Sequence, residues 1–203
     1  MLTEALRLSG LSPKYNVVVN QEKFFDTLLE FIDLRVTNPG GLPVLHLSMH
    51  GSAEGVVLTN GHFIPWNTLG KIITGATEGN ALLCMSTCFG FSGCRMAMGT
   101  EKRPFLGIIG HSGQVAWDAA SVAYVTFYHR LIIGDSIGTA IYAMQQATGD
   151  NQFNGLPAVE LEKIYTEAMT EQTALAMRRY LENLMRQMPI DSPQPFVTAA
   201  SAK

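Results

Sequence analysis

Cysteine is scarce in this chain, and its distribution excludes a disulfide framework. The three residues, Cys84, Cys88 and Cys94, are odd in number and crowded into one short segment, a usage that fits reduced thiols in a cytoplasmic protein. Charge is scarce as well: charged residues make up 15% of 203, with 14 Lys and Arg against 17 Asp and Glu, for a net −3. The basic residues are scattered, and Arg178, Arg179 and Arg186 read as the solvated face of one late helix. Nucleic acid as the main partner is therefore excluded, because phosphate binding needs clustered Lys and Arg. Long hydrophobic runs are absent too. No stretch approaches the ~20 apolar residues that cross a bilayer, and the first residues lack the basic and apolar blocks of a signal peptide. These absences lead us to expect a cytoplasmic protein without a membrane partner.

What is present is a globular composition, 47% hydrophobic, with enough chain for one domain and a full core. Thr3 to Leu11 reads as a short helix, Tyr15 to Val19 as a strand, and Glu22 to Leu34 as a helix on the spacing of Phe24, Phe25, Leu28, Leu29, Phe31 and Ile32. Pro43 to Met49, Ala81 to Met85 and Phe105 to Ile109 are short apolar runs followed by Gly-bearing turns, the pattern of buried parallel strands. Helices are predicted over Trp66 to Thr74, Ala119 to Ile132 and Ser136 to Ala147. The Asn60-Gly61 pair marks a small hairpin within Gly55 to Phe63. Such alternation predicts an α/β sandwich around a largely parallel sheet. Ala158 to Met188 reads as a long helical stretch of one or two helices, its Met177, Met185 and Met188 serving as core or dimer surface. The polar tail after Pro189 reads as disordered. No strand is predicted after Ala147. The expected organisation is a main domain over 1–150, a helical extension over 151–189 and a tail over 190–203.

In open α/β sheets, ligands bind beyond the carboxyl ends of the strands. At those ends stand His50-Gly51-Ser52, Cys88-Phe89-Gly90 and His111-Ser112-Gly113. A histidine and a cysteine at two successive strand ends are the parts for thiol catalysis, since a free thiol is only slightly ionised near neutrality and works best beside an imidazole. Gly51 lets its N–H approach a substrate carbonyl, and with the Cys88 N–H it can form an oxyanion hole, such a donor contributing roughly 3 kcal/mol to the transition state. Cys84, inside its strand, reads instead as an inert small hydrophobe.

The ordered pair Leu45-His46-Leu47-Ser48-Met49-His50-Gly51 and Ser86-Thr87-Cys88-Phe89-Gly90, with Leu58-Thr59-Asn60-Gly61 between, resembles the caspase-like cysteine peptidases, and among them the bacterial CHAT-type members most nearly. The caspase signature places its histidine about 50 residues before Gln-Ala-Cys-x-Gly; here His50 lies 38 residues before Cys88. Phe127-Tyr128-His129-Arg130-Leu131 also resembles the family's Phe-Tyr-x-x-Leu helix, so the likeness spans Tyr15 to Ala147. The resemblance implies a three-layer sandwich with a mainly parallel sheet, a small hairpin insertion and, in this chain, a long C-terminal helix. It further implies a cysteine endopeptidase acting on protein or peptide substrates in regulated proteolysis or defence, with Cys88 as nucleophile, His50 as general acid and base, and no cofactor or metal. Thr87 stands where the family usually has Ala. The family's sheet opens with one more strand than this chain offers, which leaves room for another segment, a regulatory partner or a second copy to complete it. Family members that cut after Arg or Lys carry a carboxylate in the specificity pocket. Asp118 is the candidate here, against an alternative as helix N-cap, with Trp117 as pocket wall or core and Ser112 as a further lining residue.

Three rivals are weighed. A serine-hydrolase elbow at Gly110-His111-Ser112-Gly113-Gln114 needs Gly where Gln114 stands, and an acid then a histidine afterwards; the only later histidine, His129, follows too closely. A metal site from His46, His50, Cys84, Cys88 and Cys94 meets the obstacle that Cys84 and Cys88 on one strand lie roughly 13 Å apart. The third rival is a catalytically silent caspase-like scaffold or interaction module.

Overall fold

The computed structural model describes residues 2–37, 42–98 and 102–161, all within one compact unit, 1–165. The remainder of the helical stretch from Ala158 to Met188, with its methionines and arginines, and the tail after Pro189 lie outside the described residues. Only the first helical turn, 158–161, belongs to them.

Helix α1 spans Leu2–Leu8 and α2 spans Gln21–Thr37. Strand β1 (Val44–Ser48) leads into a small antiparallel sheet of β2 (His50–Gly51), β3 (Gly55–Val57) and β4 (Phe63–Pro65). Helix α3 (Trp66–Thr77) and β5 (Leu82–Ser86) follow, then a 3-10 segment over Gly90–Ala97. The chain continues through β6 (Gly107–His111), α4 (Trp117–Ile132), α5 (Ile137–Thr148) and β7 (Phe153–Pro157). The main sheet has the order β1-β5-β6-β7, with β1, β5 and β6 parallel and β7 antiparallel to β6. The fold is thus α/β, with a mixed, mostly parallel four-stranded sheet.

The strand pleat distributes the core over both sheet faces. Leu83 and Met85 of β5, with Leu45 and Leu47 of β1, pack against Phe24 and Leu28 of α2 and Leu69 and Ile73 of α3. Leu82 and Cys84 point the other way, onto Tyr124, Phe127 and Tyr128 of α4, Met144 of α5 and Phe153 of β7. Every residue of β5 and β6 is buried, which is why these runs read as continuous rather than alternating.

Two expectations are corrected. Tyr15 to Val19 is not a strand; it carries no secondary structure and leaves Tyr15, Val17 and Val19 exposed, while Val18 packs against the core and its carbonyl accepts from the Thr59 hydroxyl at 2.9 Å. A strand does follow Ala147. Phe153-Asn154-Gly155-Leu156-Pro157 carries Gly, Asn and Pro, all poor strand formers, yet it is an edge strand whose pairing with β6 overrides propensity. The sheet therefore extends past residue 150.

The turn before β7 is anchored by charge. His111 is 1% exposed; its Nδ1 accepts from the Gly113 N–H at 3.1 Å, so its proton sits on Nε2 and is donated to Asp150 Oδ2 at 2.9 Å. Burial is the largest influence on Asp150 and pushes its carboxyl up, but the Gln152 N–H and His111 outweigh it and hold the group below its ordinary value. Asp150→Ala leaves a buried N–H without an acceptor and is expected to cost about 1–3 kcal/mol. Because the folded carboxyl titrates below the unfolded one, near pH 4, this contribution is present above that pH and is lost as acid protonates the folded group. Urea unfolding of wild type and Asp150→Ala should differ fully at neutral pH and converge in acid; a gap that stays constant into acid would assign the loss to something other than the carboxylate.

Candidate active site

β1 and β5 lie side by side, with Ser48 opposite Ser86, so the segments leaving them start from neighbouring strand ends. After β5 the chain turns sharply through Thr87 and Cys88 into the 3-10 segment. Phe89 takes the turn with φ 55°, in the left-handed region that a bulky side chain seldom occupies. It is held there by its N–H, which donates to Gly113 O at 2.7 Å, while Gly90 N donates to Thr87 O at 3.2 Å. Backbone strain of this kind, on the order of 1–3 kcal/mol, gathers at sites of function.

Two glycines grip the turn. A Cβ on Gly51 would meet the Cys88 carbonyl oxygen and, at 2.5 Å, the Thr87 hydroxyl; a Cβ on Gly110 of β6 would lie 2.5 Å from Gly90 C and Phe91 N. Backbone therefore packs on backbone from both sides. Thr87 is itself buried and turns its hydroxyl to the Cys88 carbonyl at 2.9 Å, so it is part of the packing rather than a tolerated stand-in for a smaller residue.

The hairpin ladder orients the Gly51 amide. Ser52 N donates to Gly55 O at 2.8 Å, which makes Gly51 and Val56 a non-hydrogen-bonded pair. The Gly51 N–H therefore points away from β3. Among the described residues neither it nor the Cys88 N–H has a backbone acceptor.

One loop meets both candidate side chains. The half-buried Cys88 thiol donates to Val115 O at 3.7 Å, and the exposed His50 ring stands edge-to-face with Trp117, centroids 6.0 Å apart. Trp117 is 56% exposed, so it is not core. The helix begins earlier than predicted: Ala116 is the N-cap, and Asp118 lies inside the first turn, where its Oδ1 accepts from Ala119 N at 2.8 Å. The N-cap alternative for Asp118 is thereby corrected, and its carboxylate is exposed beside Trp117. Ser112 is buried, its Oγ accepting from Asn154 Nδ2 at 2.8 Å and its amide bound to Gln152 O. Its neighbour His111 is committed to Asp150 and Gly113, so a serine nucleophile here has no base.

The other cysteines and His46 point elsewhere. Cys84 is fully buried beneath α4, and burial pushes its thiol up to about 12. His46 Nδ1 meets the Tyr128 hydroxyl at 2.9 Å, and burial lowers the imidazole to about 4. Burial likewise raises Cys94 to about 11. Among the described residues, no three His, Cys, Asp or Glu side chains gather as metal ligands, and no helix is long and apolar enough to cross a membrane.

The loop from Ser52 to Glu54 is fixed from behind, with Arg95 Nη1 at 2.7 Å and Trp66 Nε1 at 2.9 Å both donating to Ala53 O. A cavity of about 230 Å³ lies beyond β4, bordered by Phe24, Phe25, Phe63 and Ile72; neither Cys88 nor His50 lines it. Sequence reasoning missed Val115, whose contribution is a carbonyl that residue type does not reveal, and Phe89, whose left-handed turn is signalled only weakly by the glycine after it. No family model matches the chain, and no curated protein matches it significantly.

Proposed function

We propose that the chain is a cysteine endopeptidase with a caspase-like α/β sandwich, in which Cys88 is the nucleophile and His50 the acid–base group. The observation that carries this reading is the seating of Gly51 directly on the Thr87–Cys88 backbone, with the Gly51 and Cys88 amides both unclaimed. In the reaction, the Cys88 thiol passes its proton to His50 as the sulfur adds to the scissile carbonyl, and the two amides receive the oxyanion. The C–N bond then breaks as His50 gives a proton to the departing amine. Water attacks the resulting thioester, passing a proton to His50, and the acid product leaves as the thiol is restored. A sheet-completing segment or a second copy, as the resemblance allows, has its place on β1, which among the described residues has β5 as its one neighbour in the sheet.

The same geometry supports a second reading. A thiol that donates to the Val115 carbonyl is engaged within the fold, as befits a silent scaffold of the same architecture. Alkylation separates the two. In an enzyme, Cys88 reacts with iodoacetamide at mildly acidic pH, and the rate falls in His50→Ala; a rate indifferent to His50 would favour the scaffold.

Removal of Cys88 as Cys88→Ala is expected to reduce peptide cleavage to background, and His50→Ala to slow it at least about a hundredfold. Circular dichroism should be unchanged in both, since Cys88 is half-buried and His50 exposed. Cleavage by purified Cys88→Ala at the wild-type rate would remove the assignment.

Asp118 is the carboxylate available to select a basic side chain, with Trp117 as the adjoining wall. Scanning the residue before the cleaved bond should then give a preference for Arg or Lys that disappears in Asp118→Asn, whereas an acidic or apolar preference in the wild type excludes this role.

A further inference from the structure

The register of the small sheet carries an inference about substrate choice. His50 faces Val57 across β2–β3, and Val57 faces Phe63 across β3–β4. Residues directly opposed in an antiparallel sheet share one face, so His50, Val57 and Phe63 form a single row. The alternate row is Gly51, Val56 and Ile64, and there Val56 and Ile64 are fully buried. The first row is open: His50 is exposed, Val57 half-exposed and Phe63 43% exposed.

Phe63 is supported from below, since a Cβ on Gly55 would lie 2.9 Å from the Phe63 Cζ; the ring rests on a backbone that has no side chain there. An exposed phenylalanine seated on glycine, in line with an exposed valine and the candidate acid–base histidine, is a short apolar shelf leading away from the site.

We propose that this shelf binds the part of the substrate that follows the scissile bond, and that Val57 and Phe63 select apolar side chains there. The inference rests on the peptidase reading and extends it to specificity. Its direction comes from the chemistry. His50 delivers the proton to the departing amine; it is the end residue of the row, the loop that takes the thiol meets it through Trp117, and β3 and β4 extend the row from it. Chain beyond the amine therefore runs outward over Val57 toward Phe63. Its reach comes from strand spacing. His50–Val57 is a hydrogen-bonded pair; Val57–Phe63 is not, because Leu58 N donates to His62 O next to it. The two steps are roughly 5.5 and 4.5 Å, together about 10 Å, and an extended peptide advances about 3.3 Å per residue. The side chain that meets Phe63 is the third, or the neighbouring second, after the cleaved bond.

The test digests a proteome-derived peptide mixture with the full chain and sequences the new N-termini, using Cys88→Ala as the blank. Apolar residues should be enriched about tenfold over acidic ones at the second or third position of the new termini. In Phe63→Asp the enrichment should turn to Lys and Arg, while Phe63→Leu should keep it. Termini that depend on Cys88 but carry no apolar preference there, or an apolar preference confined to the residues before the bond, overturn the shelf and leave the peptidase reading standing. Absence of any Cys88-dependent termini overturns both. The wild-type profile decides the matter even where Phe63→Asp does not fold.

Discussion

The candidate site depends on one close approach, that of Gly51 to the backbone of Thr87 and Cys88. A methyl group at Gly51 would collide with the Cys88 carbonyl and the Thr87 hydroxyl, so only glycine lets the two strand ends come together. Interiors pack at the density of organic crystals, and the collision could not be relieved from behind. Gly110 presses on the other side of the same turn, and Arg95 and Trp66 pin the loop after Gly51 through the Ala53 carbonyl. The left-handed Phe89 follows from this compression: the turn between two backbones has little room, and the hydrogen bond to Gly113 holds the residue in a conformation it would not choose.

The parts of this arrangement that were legible in the sequence are those written in residue type. Glycine after His50 was read as bringing an N–H to a substrate, and the structure seats it on the Thr87–Cys88 backbone; of the three apolar runs, those of β5 and β6 are fully buried, while edge strand β1 is only partly so. The Asn60-Gly61 hairpin was visible from residue type, since Gly61 adopts φ 83° in the turn. Strand ends were placed less well. The third apolar run was placed at Phe105 to Ile109, whereas β6 runs to His111, and that shift moves His111 and Ser112 from candidate site residues into the packing around β7.

The elements that were not legible are those fixed by partners distant in the chain. β7 has unfavourable composition, and what recruits it is an open ladder on β6 together with the His111–Asp150 bond. Tyr15 to Val19 has favourable composition, yet no element pairs with it; its one contribution to the core is Val18. Intrinsic β-propensity therefore misled in opposite directions at these two segments, and tertiary pairing decided both.

The loop from Gly113 to Trp117 joins the two halves of the argument. Its first residue takes the Phe89 amide, its middle carbonyl takes the Cys88 thiol, and its last side chain stands against His50. In the proposed mechanism the bond to Val115 and attack on a substrate compete for the same sulfur, so a substrate engaging Cys88 would displace a hydrogen bond 3.7 Å long. That length lies near the outer limit for sulfur and marks a weak interaction, small beside the roughly 3 kcal/mol that one well-placed oxyanion donor contributes. On that proposal the loop engages the thiol without blocking it, and Trp117 stands edge-to-face with the imidazole. One loop thus touches the Phe89 turn, the thiol and the imidazole together.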